Sequence, residues 1–196
     1  NASNYIAPMV SCFVTTILHP EAFEDDNIGI TENAVFGLVN FLTNPIYRDE
    51  LQTSVAQHFP LLDIYGLVLK KLPLKSDAVE VKITTIGLCS LIESNDPLLF
   101  TKHPVNHEFV FVPEILRIFG DVLSRNQSSG KGAVEASPLS ITAVGDVNNN
   151  NSILPAVTQQ RMLMILSQFQ QAQMISKGKV QEFPLHVQSV LRHYCQ

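Results

Sequence analysis

The sequence has no tryptophan, only three cysteines and few charges for its size. Its 196 residues are 45% hydrophobic and only 16% charged, where an average globular domain carries roughly 25% charge. That composition excludes a disordered, solvated tail. The length suffices for one domain with a substantial core, or for two small ones. Cys12, Cys89 and Cys195 are odd in number and far apart. Neither a disulfide framework nor zinc-knuckle spacing is present, and a reducing compartment is the plain reading. No uncharged apolar run reaches the ~18 residues of a membrane span, so membrane insertion is not expected. Asn1, Ala2 and Ser3 offer neither an initiator Met nor a basic segment leading into an apolar one, so a signal peptide is not expected. Apolar residues begin at once with Tyr5 and Ile6, as expected of a piece of a longer chain. The net charge of −5 argues against a general electrostatic nucleic-acid binder.

What the sequence does have is helical periodicity almost throughout. Met9, Val10, Phe13, Val14 and Ile17 predict a helix over 5–18 that Pro20 ends. An acidic connector fills 21–29. Thr31 is expected to cap the next helix, whose stripe is Ala34, Val35, Leu38, Val39 and Leu42 and whose end is marked by Asn44 and Pro45. A shorter, more polar helix is predicted over 47–58. Pro60 suits a first helical position, with Leu61, Tyr65, Val68 and Leu72 following on one face. Lys70 and Lys71 stand at the negative end of that helix's dipole. Asp77 and Glu80 have capping-box spacing at the start of a helix reaching Ile92. Its apolar residues fall on two sides, Val79, Ile83 and Ile86 against Val81, Leu88, Cys89 and Ile92, which predicts a helix sandwiched between neighbours. After a break at Asn95, Asp96 and Pro97, another helix starts at Pro113 and carries Ile115, Leu116, Phe119 and Val122. Helix returns near Pro155 with Met162, Ile165, Leu166 and Phe169. A last helix carries Val187, Val190, Leu191 and Tyr194.

The expected fold is therefore all-α. Helix pairs recurring about every 40 residues predict an α-solenoid of the HEAT or armadillo type, although no repeat aligns literally onto the next. Three regions are expected: helix pairs over 1–125, a flexible Ser/Gly/Asn-rich insert over 126–152, and closing helices over 153–196 packed on the same solenoid.

Catalytic and metal-binding patterns fail on inspection. Ser129, Gly130, Lys131 and Gly132 look like a phosphate loop, but Arg125 and Gly132 stand where Gly and Ser or Thr are required. Asp146, Asn148 and Asn150 open like a calcium loop, but Asn151 and Val157 replace its Gly and Glu. His103 and His107 are four apart, yet Pro104 disfavours the helix that would let them chelate. His186, His193 and Cys195 have no further ligands in sequence. Cys89 reads as a small core residue. Asn1, Asn126 and Asn150 open glycosylation triplets, expected by chance in so Asn- and Ser-rich a chain. No enzyme, cofactor or metal site is expected.

A surface argument survives. Residues 1–100 hold 12 acids against 5 bases, whereas 101–196 hold 6 against 8. Asp63, Asp77, Glu80 and Glu93, on the helices flanking Pro73, are the candidate partner-binding residues. Leu72, Pro73 and Leu74, then Asp77, Glu80 and Leu88, and finally Leu91, Ile92, Glu93, Ser94, Asn95 and Pro97 form a block with a further resemblance. It resembles the C-terminal repeats of the karyopherin-β (importin-β) superfamily, in its branch of importin-five-like import receptors. Thr31, Glu32, Asn33, Ala34 and Val35 are similar to the start of a HEAT helix in that branch. The resemblance covers 27–100, and more weakly the closing helices. It implies a C-terminal fragment of a larger superhelix, a nuclear transport receptor shuttling between cytoplasm and nucleus. The implied partners are cargo proteins with basic localisation signals, the GTPase Ran (mainly through repeats outside this chain) and nucleoporins. The alternative is a general HEAT or armadillo scaffold or adaptor unrelated to nuclear transport.

Overall fold

A computed structural model of the chain describes residues 3–51, 59–129 and 154–194. Among these residues the protein is all-α. Helices α1 (Ser3–Leu18), α2 (Ile28–Thr43), α3 (Pro45–Glu50), α4 (Leu61–Lys71) and α5 (Ala78–Glu93) make up the first part. Helices α6 (Val112–Ser129), α7 (Ala156–Gln171), α8 (Lys177–Gln181) and α9 (Leu185–Leu191) follow, and a 3₁₀ turn, Arg192–Tyr194, closes the chain. The only β feature among the described residues is an isolated bridge between Lys102 and Phe109. No described helix is long and apolar enough to cross a membrane.

Local chemistry sets the boundaries. Pro45 sits at the first position of α3, and the Asn44 side chain accepts from Ile46 N at 3.0 Å. Pro60, Pro155 and Pro184 immediately precede α4, α7 and α9. Helices α5 and α7 end alike. Asn95 (φ 53°) and Gln173 (φ 55°) take the left-handed conformation just past the cap. Asn95 N then donates to Ile92 O and Asp96 N to Leu91 O, while Gln173 N donates to Gln170 O and Met174 N to Phe169 O. Both are Schellman motifs, which satisfy carbonyls the helix leaves over.

Helix α2 packs on α1 and on α5, and α5 packs in turn on α7. Helix α4 packs on α2 and α6, and α9 packs on α6. One continuous core runs through all of them, centred on Leu38, Tyr65, Ile115, Phe119 and Leu166, each under 2% exposed. Burying a side chain of this size is worth about 1.5–3 kcal/mol. Glycines let helices approach closely. A Cβ on Gly87 of α5 would lie 2.6 Å from Thr43 Cγ2 of α2, and one on Gly120 of α6 would lie 2.5 Å from Val187 Cγ1 of α9.

Three expectations need correction. Thr31 does not cap α2, which begins three residues earlier at Ile28; Thr31 is buried and its hydroxyl donates to Ala22 O of the preceding connector. Helix α5 does lie between two neighbours, α2 and α7, but not by the side expected: Val79 and Ile83 are 61% and 39% exposed. Its packed side is completed instead by Thr84 and Thr85, whose hydroxyls donate back to Glu80 O and Val81 O. Finally, α6 runs to Ser129, so helix covers the first residues assigned to the insert. The rest of that insert, like most of the helix predicted over 47–58, lies outside the described residues.

Candidate interaction surface

The four acids expected to dock a partner are dispersed. Asp77 is the N-cap of α5, its Oδ1 accepting from Val79 N (2.6 Å) and Glu80 N (3.2 Å), and so satisfying two first-turn amides. Glu80 sits one turn further on. Burial, reinforced by repulsion from Asp77 and Glu32, holds its carboxyl above the ordinary range. Glu93, at the other end of α5, accepts from Arg161 of α7 through both oxygens, at 3.0 and 2.6 Å. Arg161 also donates to Ser90 Oγ at 3.0 Å. The hydrogen bond from Arg161 holds Glu93 below the usual carboxylate range and lifts the guanidinium in return. Glu93 thus joins neighbouring helices through a bidentate pair, an arrangement that leaves it little capacity for a partner.

Asp63 is different, because it opens onto a groove of about 580 Å³ between α1, α4 and the start of α6. Val14, Leu18, Leu62, Leu67 and Phe111 supply apolar walls, and Asp63, Lys70 and Glu114 supply the charges. The helical period of α4 produces this division. Leu61, Ile64, Tyr65, Val68 and Leu69 turn into the core, while Leu62, Asp63, Gly66, Leu67 and Lys70 face the groove. Gly66 deepens it, since a Cβ there would sit 3.6 Å from the Phe111 ring.

Glu114 was not singled out in the sequence, yet a signal for it existed. It follows Val112 as Asp63 follows Leu61, two residues into a helix that starts 51 residues later. Its Oε2 accepts from Arg117 Nε at 2.8 Å.

Comparison of the chain with protein-family models, curated proteins and solved structures found no significant match.

His103 and His107 lie in the exposed loop between α5 and α6, where His107 is left-handed (φ 57°). No group of three or more His, Cys, Asp or Glu among the described residues is placed to hold a metal. Burial pushes the Cys89 thiol up to about 12, so it stays protonated and unreactive at neutral pH. His186 contacts Asp121 of α6 at 2.9 Å, and His193 is exposed in the final turn. Cys195, the phosphate-loop-like stretch from Gly130 onward and the calcium-like stretch lie outside the described residues.

Proposed function

We propose that this chain is a non-catalytic protein-binding segment of a HEAT-type helical solenoid, and that it belongs to a nuclear transport receptor carrying cargo under the control of Ran. The observation that carries the repeat reading is a shared register of burial. Thr31, Ala34, Val35, Leu38, Val39, Phe41 and Leu42 are buried in α2. Val81, Thr84, Thr85, Leu88, Cys89, Leu91 and Ile92 are buried in α5, each fifty positions on, as 81 is from 31. Gly37 and Gly87 keep the same offset, and both sit where a neighbouring helix comes close. Leu61, Ile64, Tyr65 and Val68 of α4 stand in the same way to Val112, Ile115, Leu116 and Phe119 of α6, fifty-one positions on. Helices α2, α5 and α7 are each 16 residues long and pack in chain order, as successive units of a solenoid would. The last two end in the same Schellman motif.

The transport assignment rests on the resemblance of the 72–97 block to importin-β-type receptors, and several residues of that block have a physical task here. Leu91 and Ile92 are core, Asn95 supplies the left-handed turn, and Asp96 is buried. The groove supports a cargo class: its apolar walls with Asp63, the acid there that no arginine holds, suit an amphipathic segment that sets a Lys or Arg beside Asp63. Fluorescence anisotropy of a labelled Lys-rich amphipathic peptide against the full chain tests this. We expect saturable binding that Asp63→Lys weakens by about tenfold, the loss appropriate to reversing one charge in a partly dry groove. A flat titration, or an unaffected variant, would remove the groove from consideration. Binding of GTP-loaded Ran by the longest native polypeptide containing this sequence separates the receptor from a general HEAT adaptor. A polypeptide that ignores Ran would be the adaptor.

A further inference from the structure

The turn between α4 and α5, residues 72–76, is tied down by charged side chains from two distant helices. Both oxygens of Glu32 accept from it, from Lys75 N at 2.8 Å and Ser76 N at 2.9 Å. From α6, Arg117 Nη2 donates to Leu69 O (3.0 Å) and Leu72 O (2.7 Å), and Arg125 Nη1 donates to Leu74 O (3.1 Å). Beside this turn lies a cleft of about 340 Å³. Lys70, Lys71, Lys75, Arg117, Arg125 and His186 line it. Two acids share it. Glu32 is engaged by the turn's amides, and Asp121 is held by Arg125 Nη2 at 2.6 Å and His186 Nε2 at 2.9 Å.

With histidine neutral, five lining cations against Glu32, Asp121 and Glu114, which pairs with Arg117 from just outside at 2.8 Å, leave the cleft at +2 in a chain whose net charge is −5. Walls of one sign around a concavity focus the potential and concentrate counter-ions. Lys70 and Lys75 are exposed, and among the described residues neither forms an ion pair. Lys71 Nζ rests over the Phe23 ring, 3.8 Å from its centroid.

We propose that this cleft binds a compact polyphosphate. Ammonium groups are point charges with three donors each, and can meet phosphate oxygens from several directions. The guanidiniums are committed to carbonyls, Asp121 and Glu114, and so fix the rim instead of following the ligand. The volume is at the small end of the roughly 300–1,000 Å³ of ligand sites, which suits a compact anion better than a peptide strand. Glu24, Asp25 and Asp26 are exposed in the connector that also carries Phe23, and their field opposes any anion. That field subtracts from the attraction of the lining cations for every anion alike, and each added phosphate multiplies whatever net attraction the cleft retains.

Calorimetric titration of the full chain with inositol hexakisphosphate and with pyrophosphate tests the proposal. We expect binding that weakens steeply with added salt, and that falls about tenfold or more in a Lys71→Glu, Lys75→Glu variant. A Lys82→Glu, Lys177→Glu variant, which makes the same charge change elsewhere, should bind within about twofold of the parent. Asp25→Asn with Asp26→Asn should tighten binding several-fold. Far-ultraviolet circular dichroism verifies that each variant keeps its helices. Sedimentation with phosphatidylcholine vesicles, with and without phosphatidylinositol bisphosphate, identifies the source. Capture only by the phosphorylated vesicles, lost in the Lys71/Lys75 variant, supports a lipid headgroup, and binding of the soluble probes alone supports a free polyphosphate. No binding to either probe or to vesicles, or equal weakening in both double-lysine variants, would overturn the proposal.

Discussion

Asp96 offers the sharpest test of how this fold is held. Its side chain is 5% exposed and its carboxylate takes three donors: Arg48 Nη1 at 3.1 Å, Tyr65 Oη at 2.8 Å and Leu98 N at 2.9 Å. Burial, then the hydrogen bond to Asp96, pushes the Tyr65 phenol far above its ordinary range, so Tyr65 remains a donor at any working pH. Asp96→Ala removes the acceptor from all three. The Arg48 side chain is 25% exposed and can turn to water, and Leu98 N is only partly covered. The Tyr65 hydroxyl has no such escape, since the residue is 1% exposed. Leaving that hydroxyl unpaired costs about 1–3 kcal/mol, and losing the other two bonds adds about 1 kcal/mol each. The total of about 3–5 kcal/mol matches what breaking a buried charged pair costs. Urea unfolding monitored by circular dichroism would read it as a lower midpoint. Heating would show a fall of roughly 6–20 °C, at 2–4 °C per kcal/mol for a chain of this size. In a Tyr65→Phe background the penalty of Asp96→Ala should shrink by about 1–2 kcal/mol, because the stranded hydroxyl is gone. A loss below about 1 kcal/mol, or the same loss in both backgrounds, would refute the account.

Two further outcomes follow from packing and charge. Gly120→Ala places a Cβ 2.5 Å from Val187 Cγ1 and 3.4 Å from its Cα. Overpacking of about 1–3 kcal/mol should exceed the ~1 kcal/mol gained in helix propensity, and Val187→Ala in the same chain should recover part of the loss in urea unfolding. Glu80 binds its proton more tightly when folded, so its contribution to stability is complete below its unfolded pKa of about 4.3 and is lost as pH rises through the folded value. Glu80→Gln should therefore stabilise by roughly 0.5 kcal/mol at neutral pH and by nothing near pH 3. A gain that persists in acid would mean that charge is not its origin.

The helices were legible because their apolar spacing is regular, and the caps were legible where a short polar side chain stands at the boundary, as Asp77 does. The repeat was not. Between 31–44 and 81–94 only Gly37/Gly87 and Leu38/Leu88 are identical. Burial selects position and approximate volume, so Ala34 and Thr84, or Val39 and Cys89, serve alike without looking alike. Thr84 and Thr85 hid a core face behind hydroxyls that bond to their own helix. Conversely, Val79 and Ile83 appeared to be core because hydrophobicity does not require burial. Among the acids, Glu93 could be assigned a role only once its partner was known, since it meets Arg161 across 68 residues of chain. Asp96 gave no sign of its importance, because its three donors come from Arg48, Tyr65 and Leu98.

The close approaches at Gly37, Gly87 and Gly120 bear on how this packing can deform. At each, a side chain from the neighbouring helix (Phe13, Thr43 or Val187) is seated in the gap that a missing Cβ leaves. Each works as a detent. For one helix to slide along the other, the seated group would have to ride up over the flanking turns, and close-packed neighbours leave no room for that. The helices of this protein are therefore indexed along their axes, and a shear of one past another is the motion that this packing opposes. The register of each pair stays fixed.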